Sequence, residues 1–311
     1  MKLAIAIPTY NRNEQLIKTI AALLPQITSD CCVFILDNNS LVSPLDSSVF
    51  LRKIVDDGLV TYIKNKNNIG GDANIIKCME ISEAEYTWVL GDDDMPAEDS
   101  IEIIFRAIRS KPQSVFFNFS SDMFFRRVNI NGNGLNEFIR AIDSFENLLF
   151  ISASVYKTEY MQKNIRHAYQ NCSSSMQNLA CLLSSLHDGS EFSLRTEKLV
   201  CWESIQNGWD PLIITMRFFL ILDNLNTDAR HIKLLSKKII CGSASNKIIA
   251  VNIIKKIVAG QDKNRLKQLY LNYITRVYQY DYFRKLFSFL YIPIIFSPTF
   301  FLKFLLRIKK K

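Results

Sequence analysis

Three consecutive carboxylates, Asp92-Asp93-Asp94, follow the apolar run Tyr86–Leu90 and Gly91, and precede Met95-Pro96. Adjacent carboxylates repel one another. A divalent cation removes that penalty, because hard cations take oxygen ligands, and it also neutralises a diphosphate. The plainer alternative is a solvated turn with an Asp capping the next helix. Asp37-Asn38-Asn39-Ser40 ends a second apolar run. Its carboxylate can accept from a nucleobase N–H or a ribose hydroxyl, or can close an Asx-turn. Thr9, Tyr10 and Arg12 follow Pro8 at the end of a third run and offer a hydroxyl, an aromatic face and a phosphate-compatible cation. The paired Gly70-Gly71 within Asn67–Asn74 permits close backbone approach to a ligand ahead of a helix. That segment is neither a G-x-G-x-x-G nor a P-loop pattern, which removes support for a dinucleotide-binding dehydrogenase or a P-loop kinase.

The elements that must position these groups alternate. Short apolar runs at Leu3–Ile7, Cys32–Leu36, Leu59–Ile63, Tyr86–Leu90 and Val115–Phe119 read as strands. Glu14–Leu24, Ala73–Ile81 and Ala97–Arg109 have helical spacing between them. Alternation of this kind predicts βαβ units and a parallel sheet covered on both faces. In such sheets ligands bind at the carboxyl ends of the strands, where all three polar clusters fall. Further on, 129–136 is rich in Asn and Gly and reads as a loop. Ile151–Tyr156 and Leu199–Trp202 read as strands, and Met176–Leu186 and Pro211–Leu225 as helices. From residue 230 the pattern is helical, over Ile232–Ile240, Lys247–Val258 and Lys263–Tyr280.

Charge divides the 311-residue chain further. Its net +8 hides −6 over residues 1–122, −2 over 123–229 and +16 over 230–311. The last part has 18 basic side chains against 2 acidic ones, an asymmetry that flags a specialised partner surface. Seven cysteines, with no C-x-x-C pair, argue against a disulfide framework or zinc site and for reduced thiols in a cytosolic protein. The apolar run before Pro8 is too short for a signal peptide.

The set I-P-T-Y-N-R (Ile7–Arg12), D-N-N-S (Asp37–Ser40), N-I-G-G-D-A-N (Asn68–Asn74) and G-D-D-D (Gly91–Asp94) resembles family 2 glycosyltransferases of the GT-A fold, in particular bacterial O-antigen and capsule enzymes of the abequosyltransferase type. The resemblance implies a Rossmann-like, mostly parallel α/β domain over 1–228, with a nucleotide-sugar half at 1–122 and an acceptor half at 123–228, followed by a helical basic region at 229–311. It implies that Pro8, Thr9, Tyr10, Arg12, Asp37, Asn39, Gly70, Gly71, Asn74, Asp92 and Asp93 line the nucleotide-sugar site. Asp92 and Asp94 would hold Mg²⁺ or Mn²⁺, which stabilises the leaving diphosphate. The acceptor hydroxyl would attack the anomeric carbon with inversion while a carboxylate takes its proton. Many members carry Glu-Asp at the start of the helix that is Met176–Leu186 here. This chain has Ser173-Ser174-Ser175-Met176-Gln177 instead, which leaves Asp188 and Asp210 as substitutes for the base. That gap keeps a non-catalytic binder of nucleotide-sugar or glycan as the alternative. A nucleotidyltransferase would want a glycine-rich basic loop near the N-terminus, which Pro8–Arg12 is not.

Residues 286–308 are strongly apolar. Within them Leu286–Leu302 carries no charge but is interrupted by Pro293 and Pro298. With no uninterrupted apolar run of 18 or more residues, an interfacial anchor fits better than a span. Basic and tyrosine residues interleave just upstream, a combination suited to anionic headgroups on the cytoplasmic leaflet. A helical cap or subunit interface is the alternative. No nucleic-acid-binding signature is present. The expected partners are therefore a nucleotide-sugar donor, a glycan or polyprenyl-diphosphate-linked acceptor, and the inner face of the cytoplasmic membrane, to which the protein would be peripherally attached.

Overall fold

The computed structural model describes the chain except residues 123, 143–144, 187–188, 203–210, 226, 242–244, 281–288 and 309–311. Contacts divide it into two units, Met1–Gln206 and Asn207–Lys311.

The first unit is built on an eight-stranded sheet. Its strands are β1 (Leu3–Thr9), β2 (Cys31–Asp37), β3 (Thr61–Lys64), β4 (Tyr86–Val89), β6 (Ser114–Ser120), β7 (Ile130–Asn133), β8 (Ser154–Lys157) and β9 (Glu191–Lys198). A separate two-stranded ladder pairs β5 (Asp94–Pro96) with β10 (Val200–Trp202). The order across the large sheet is β3-β2-β1-β4-β8-β6-β9-β7. Strands β3, β2, β1 and β4 are mutually parallel. β8 runs antiparallel to both β4 and β6, which returns β6 and its partner β9 to the direction of β4. The carboxyl ends of β1, β2, β3, β4, β6 and β9 thus share one edge, and the amino end of β8 joins them.

Burial explains the apolar runs. Leu3 to Ile7 of β1 have no exposed surface, because helices cover both faces of a parallel sheet. Helices Asn13–Leu23, Gly71–Glu80 and Ser100–Ser110 occupy the three predicted helical stretches, with ends displaced by one to three residues. At Leu24 the first helix tightens into a 3₁₀ turn, Leu24–Gln26, around Pro25.

Two expectations fail in the middle of the chain. The segment 129–136 is not a loop: Ile130–Asn133 is strand β7, antiparallel to β9, and helix Gly134–Ala141 starts directly after it. Gly132 suits this edge strand because a Cβ there would lie 2.6 Å from the ring of Phe192 on β9. β9 itself, absent from the sequence expectation, places Phe192 and Leu194 in the core. The first part of Ile151–Tyr156 is a 3₁₀ turn, Ile151–Ala153, and only Ser154–Lys157 is strand.

The second unit is helical. Helix Pro211–Asn224 makes its contacts with Ala229–Cys241 and Asn246–Val258. Asn246–Val258 packs against Lys263–Tyr280, Ile292–Phe296 and Thr299–Ile308. Ile249, Ile253, Tyr270, Tyr273, Val277, Ile295 and Leu302 form its interior. Within the apolar stretch 286–308, the helices Ile292–Phe296 and Thr299–Ile308 are separated at Ser297-Pro298. Among the described residues no helix is long and apolar enough to cross a membrane.

Candidate active site

The three polar clusters meet at the strand-end edge. Thr9, the last residue of β1, donates from Oγ1 to Asp92 Oδ2 at 2.7 Å. Arg12, at the N-cap of helix Asn13–Leu23, donates from Nη1 to Asp92 Oδ1 (3.2 Å) and Asp93 Oδ2 (2.7 Å). Thr19, nearly two turns into that helix, donates to the backbone carbonyl of Asp92 at 3.0 Å. The first and fourth motifs, some 80 positions apart, are therefore one structure, because β1 and β4 are neighbours in the sheet.

Asp94 is held from the other side. Ser152, in the 3₁₀ turn before β8, donates from Oγ to Asp94 Oδ2 at 2.6 Å and accepts the N–H of Gly91 at 2.8 Å. The buried indole of Trp88 donates to the Ser152 carbonyl and fixes that turn. A Cβ on Gly91 would lie 2.5 Å from Asp94 Oδ2, so this carboxylate folds back over its own glycine. Asp92 and Asp94 are both buried. Burial pushes the Asp92 carboxyl up to about 6 against the opposing pull of Thr9 and Arg12. Burial likewise raises Asp94 to about 7, with Ser152 opposing and the charges of Asp93 and Asp92 adding to the rise.

The second cluster turns inward. Asp37 is fully buried, and its Oδ1 accepts the N–H and Oγ–H of Ser40 at 2.9 and 2.6 Å. Its Oδ2 accepts the Tyr62 hydroxyl at 2.7 Å. The strand-end carboxylate thus closes its own turn, accepting from the N–H three residues on and not two as an Asx-turn would. Asn39 and Asn11 occupy the left-handed region, at φ 65° and 55°, which Asn tolerates better than most residues. Asn11 accepts from the Leu41 N–H and donates its own N–H to Ser40 Oγ, which ties the Thr9–Arg12 turn to the Asp37–Ser40 turn. Tyr10 is exposed beside them and Pro8 partly so.

The glycine segment is fixed by an amide network. Asn38 accepts from the Ile69 N–H and donates to Asn68, which also accepts the Gly70 N–H. Asn65 donates to Asn38 and to Asn74 and accepts from Lys77 Nζ at 2.6 Å. Asn74 donates to the Leu36 carbonyl, so this expected ligand contact sits buried in the framework. Gly70 (φ 88°) and Gly71 are exposed, and a Cβ on either would meet no atom within 4 Å.

Sequence reasoning missed Thr19, Ser152, Tyr62, Asn65 and Lys77. Ser40 and Asn38 lay inside a motif already singled out, whereas Ser152 carries no sequence signal at all. Asp188 and Asp210 lie outside the described residues. In place of a Glu-Asp pair, Gln177 opens helix Gln177–Ser185 and is buried. Just before it, Ser175 in the left-handed region donates to Asp72 at the start of helix Gly71–Glu80.

The residues present fit a divalent cation. No cluster of three His, Cys, Asp or Glu side chains suited to a metal occurs among the described residues. Mg²⁺-type ions, however, need only one or two carboxylates, taking the rest of their shell from water and substrate phosphates. Two buried carboxylates, each raised by desolvation, are groups whose ionised form a cation would restore.

A mostly parallel α/β sheet with an acidic cluster at its carboxyl edge, and one arginine and one glycine-rich turn beside it, is the architecture of the GT-A fold. The match to the model of glycosyl transferase family 2 over residues 4–173 takes in more than half of the chain, and the chain belongs to that family. It is 29% identical over 106 residues to the abequosyltransferase RfbV of Salmonella typhimurium, which covers 33% of this chain and 32% of that protein. It is 22% identical over 211 residues to the poly(ribitol-phosphate) beta-N-acetylglucosaminyltransferase TarP of Staphylococcus aureus, covering 63% and 61%. The chain therefore spans about a third and three fifths of these relatives. Among solved structures, S. aureus TarS 1-349 in complex with UDP-GlcNAc superposes with a TM-score of 0.64 at 12% identity, covering 90% of this chain and 82% of that one. The mannosyltransferase PcManGT of Pyrobaculum calidifontis, in complex with GDP-Man and Mn²⁺, gives 0.53 at 12% identity, covering 94% and 85%.

Proposed function

We propose that the protein moves a sugar from a nucleotide-sugar donor to a hydroxyl of a lipid-linked glycan, with inversion and with a divalent cation, in the synthesis of a bacterial surface polysaccharide. The observation that carries this is the joining of Thr9, Arg12 and Asp92–Asp94 into one cluster at the strand-end edge. Solved neighbours of the same fold hold UDP-GlcNAc, or GDP-Man with Mn²⁺, and the matched relatives are named an abequosyltransferase and a poly(ribitol-phosphate) N-acetylglucosaminyltransferase, which supports a nucleotide-sugar donor and a polymeric acceptor here. When bound, the cation screens the charge that develops on the departing diphosphate. Asp94, oriented by Ser152, is positioned to hold that cation, and Thr9 fixes the Asp92 carboxylate. Gly70 and Gly71 leave the backbone open to the donor. Asp188 or Asp210 takes the proton of the attacking hydroxyl.

Membrane attachment through the C-terminal unit completes the proposal and places the protein peripherally on the cytoplasmic face. Phe289, Leu290, Phe296, Phe300 and Phe301 are exposed there, within a region of net +16. Lys267 lies over the Phe296 ring, 4.6 Å from its centroid, pairing basic and aromatic groups as a headgroup layer requires. A lipid-linked acceptor follows from such attachment.

A screen of nucleotide-sugars with Mn²⁺ or Mg²⁺ tests the reading. The expected result is a rise in melting temperature with one donor, followed by sugar transfer that a chelator or Asp94→Asn removes. Transfer that survives both sinks metal dependence. The buried Gln177, where the family commonly has carboxylates, favours one rival, a binder without turnover. Donor stabilisation with no transfer or donor hydrolysis under any condition would select it.

A further inference from the structure

Arg12 occupies an unusual place for an arginine. It is the N-cap of an eleven-residue helix and makes no capping bond. Caps are normally Ser, Thr, Asp or Asn, and a cation at a helix N-terminus opposes the helix dipole. A residue that breaks a local rule so plainly needs a compensating role. Its compensation is the pair of carboxylates it bridges, both reached through the single nitrogen Nη1.

Root and tip of this side chain differ. The backbone at Asn11-Arg12 is fixed by the Asn11 contacts with Ser40 and Leu41 and by the Leu16 N–H donating to the Arg12 carbonyl. The side chain is 48% exposed, against 7% for Asp92 and 26% for Asp93. The guanidinium thus stands at the solvent boundary over anions that lie deeper. A guanidinium also binds phosphate oxygens as readily as carboxylates.

We infer that Arg12 is a placeholder cation: it neutralises Asp92 and Asp93 while the site is without donor, and exchanges to the donor diphosphate when a divalent cation held by Asp92 and Asp94 takes its place on Asp92. The inference rests on metal-dependent transfer as proposed above and adds an order to it. Arg12 disfavours entry of the metal alone, because the metal must displace it. Arg12 favours entry of metal and diphosphate together, because the freed guanidinium then has a phosphate to bind. No covalent bond changes in the exchange.

The test compares Mn²⁺ alone with the preformed manganese–pyrophosphate complex, binding to the full chain by calorimetry. Arg12→Gln should bind Mn²⁺ alone about five- to tenfold more tightly than the unaltered protein, and manganese–pyrophosphate more weakly by a similar factor. Arg12→Lys, which keeps the charge but loses the fork, should fall between the two. The signature is the opposite sign of the two shifts, with Arg12→Lys in between. A role in folding would weaken both affinities, and a role in charge alone, which also gives opposite signs on a dication and an anionic complex, would leave Arg12→Lys at the affinities of the unaltered protein; either result, or an unchanged Mn²⁺ affinity in Arg12→Gln, overturns the placeholder role while metal-dependent transfer stands. If the unaltered protein binds neither probe, metal dependence itself fails and the placeholder role with it.

Discussion

Asp94 is the side chain on which most depends. One oxygen accepts from Ser152, and its carboxyl is raised to about 7 by burial. Replacing Asp94 by Asn keeps the shape and removes the charge, and transfer should fall by about a hundredfold or more. Ser152→Ala removes only the orienting bond, so a loss of about 10- to 100-fold in metal affinity or activity is expected, readable by Mn²⁺ titration. The raised carboxyls also set a pH dependence. Asp92 and Asp94 hold protons in the folded chain that they release in the unfolded one between pH about 4 and about 7. The folded state binds more protons across that window, so these groups make stability fall as pH rises through it. Arg12, Asp92 and Asp93 are the charges facing Asp94. A cation reverses the penalty, so Mn²⁺ should raise the melting temperature more at pH 8 than at pH 5. Equal shifts at both values would contradict the assignment of these two carboxylates to the metal.

At the scale of elements, the strand ends are tied to one another by turns and not by the strands alone. Gly91 follows β4 by two residues and leaves the space into which Asp94 folds back. Gly91→Ala would drive the Asp94 carboxylate from Ser152 because the added Cβ meets it at 2.5 Å. The group displaced is a side-chain tip, so stability should change little while metal affinity drops by about tenfold. The reverse is expected in the amide network behind the glycine segment. Asn65 joins Asn38, Asn74 and Lys77, and Asn65→Ala takes the Asn65 donor from the buried Asn74 Oδ1 and one bond each from Asn38 and Lys77. A loss of about 1–3 kcal/mol in denaturant unfolding is expected, with KM for the donor rising as Gly70-Gly71 loosens. These two variants separate a defect in chemistry from a defect in scaffolding.

For the whole molecule, charge is divided along the chain. Residues 1–229 are net acidic, and 230–311 carry all of the positive excess. The helical unit buries its own core of Ile and Tyr side chains yet leaves Leu290 and Phe300 exposed. The full chain should sediment with phosphatidylglycerol vesicles and less with neutral ones, and the difference should shrink as salt rises. Leu290→Ser with Phe300→Ser should weaken vesicle binding by about tenfold or more, from the lost apolar transfer. Vesicle binding unchanged by these substitutions would place the anchor elsewhere.

The sequence by itself determined the alternating elements, the parallel sheet and the edge at which function collects. Each of these is written in local periodicity: apolar runs such as Leu3–Ile7 are strands buried on both faces, and the polar residues that end them face one edge by topology. It also determined the family, through four short motifs. The tertiary structure alone decided which residues meet. Ser152 reaches Asp94 because β8 inserts antiparallel beside β4, a pairing that no local pattern records. Asp37 and Asn74 became framework because neighbouring strands supplied Tyr62 and Asn65 as partners. The Asn- and Gly-rich segment 129–136 became strand and helix because β9 offered it an edge and Phe192 a space only glycine leaves. Composition spoke for a loop there, and pairing across the sheet outweighed it, since strand formation depends more on what lies alongside than on the residues themselves.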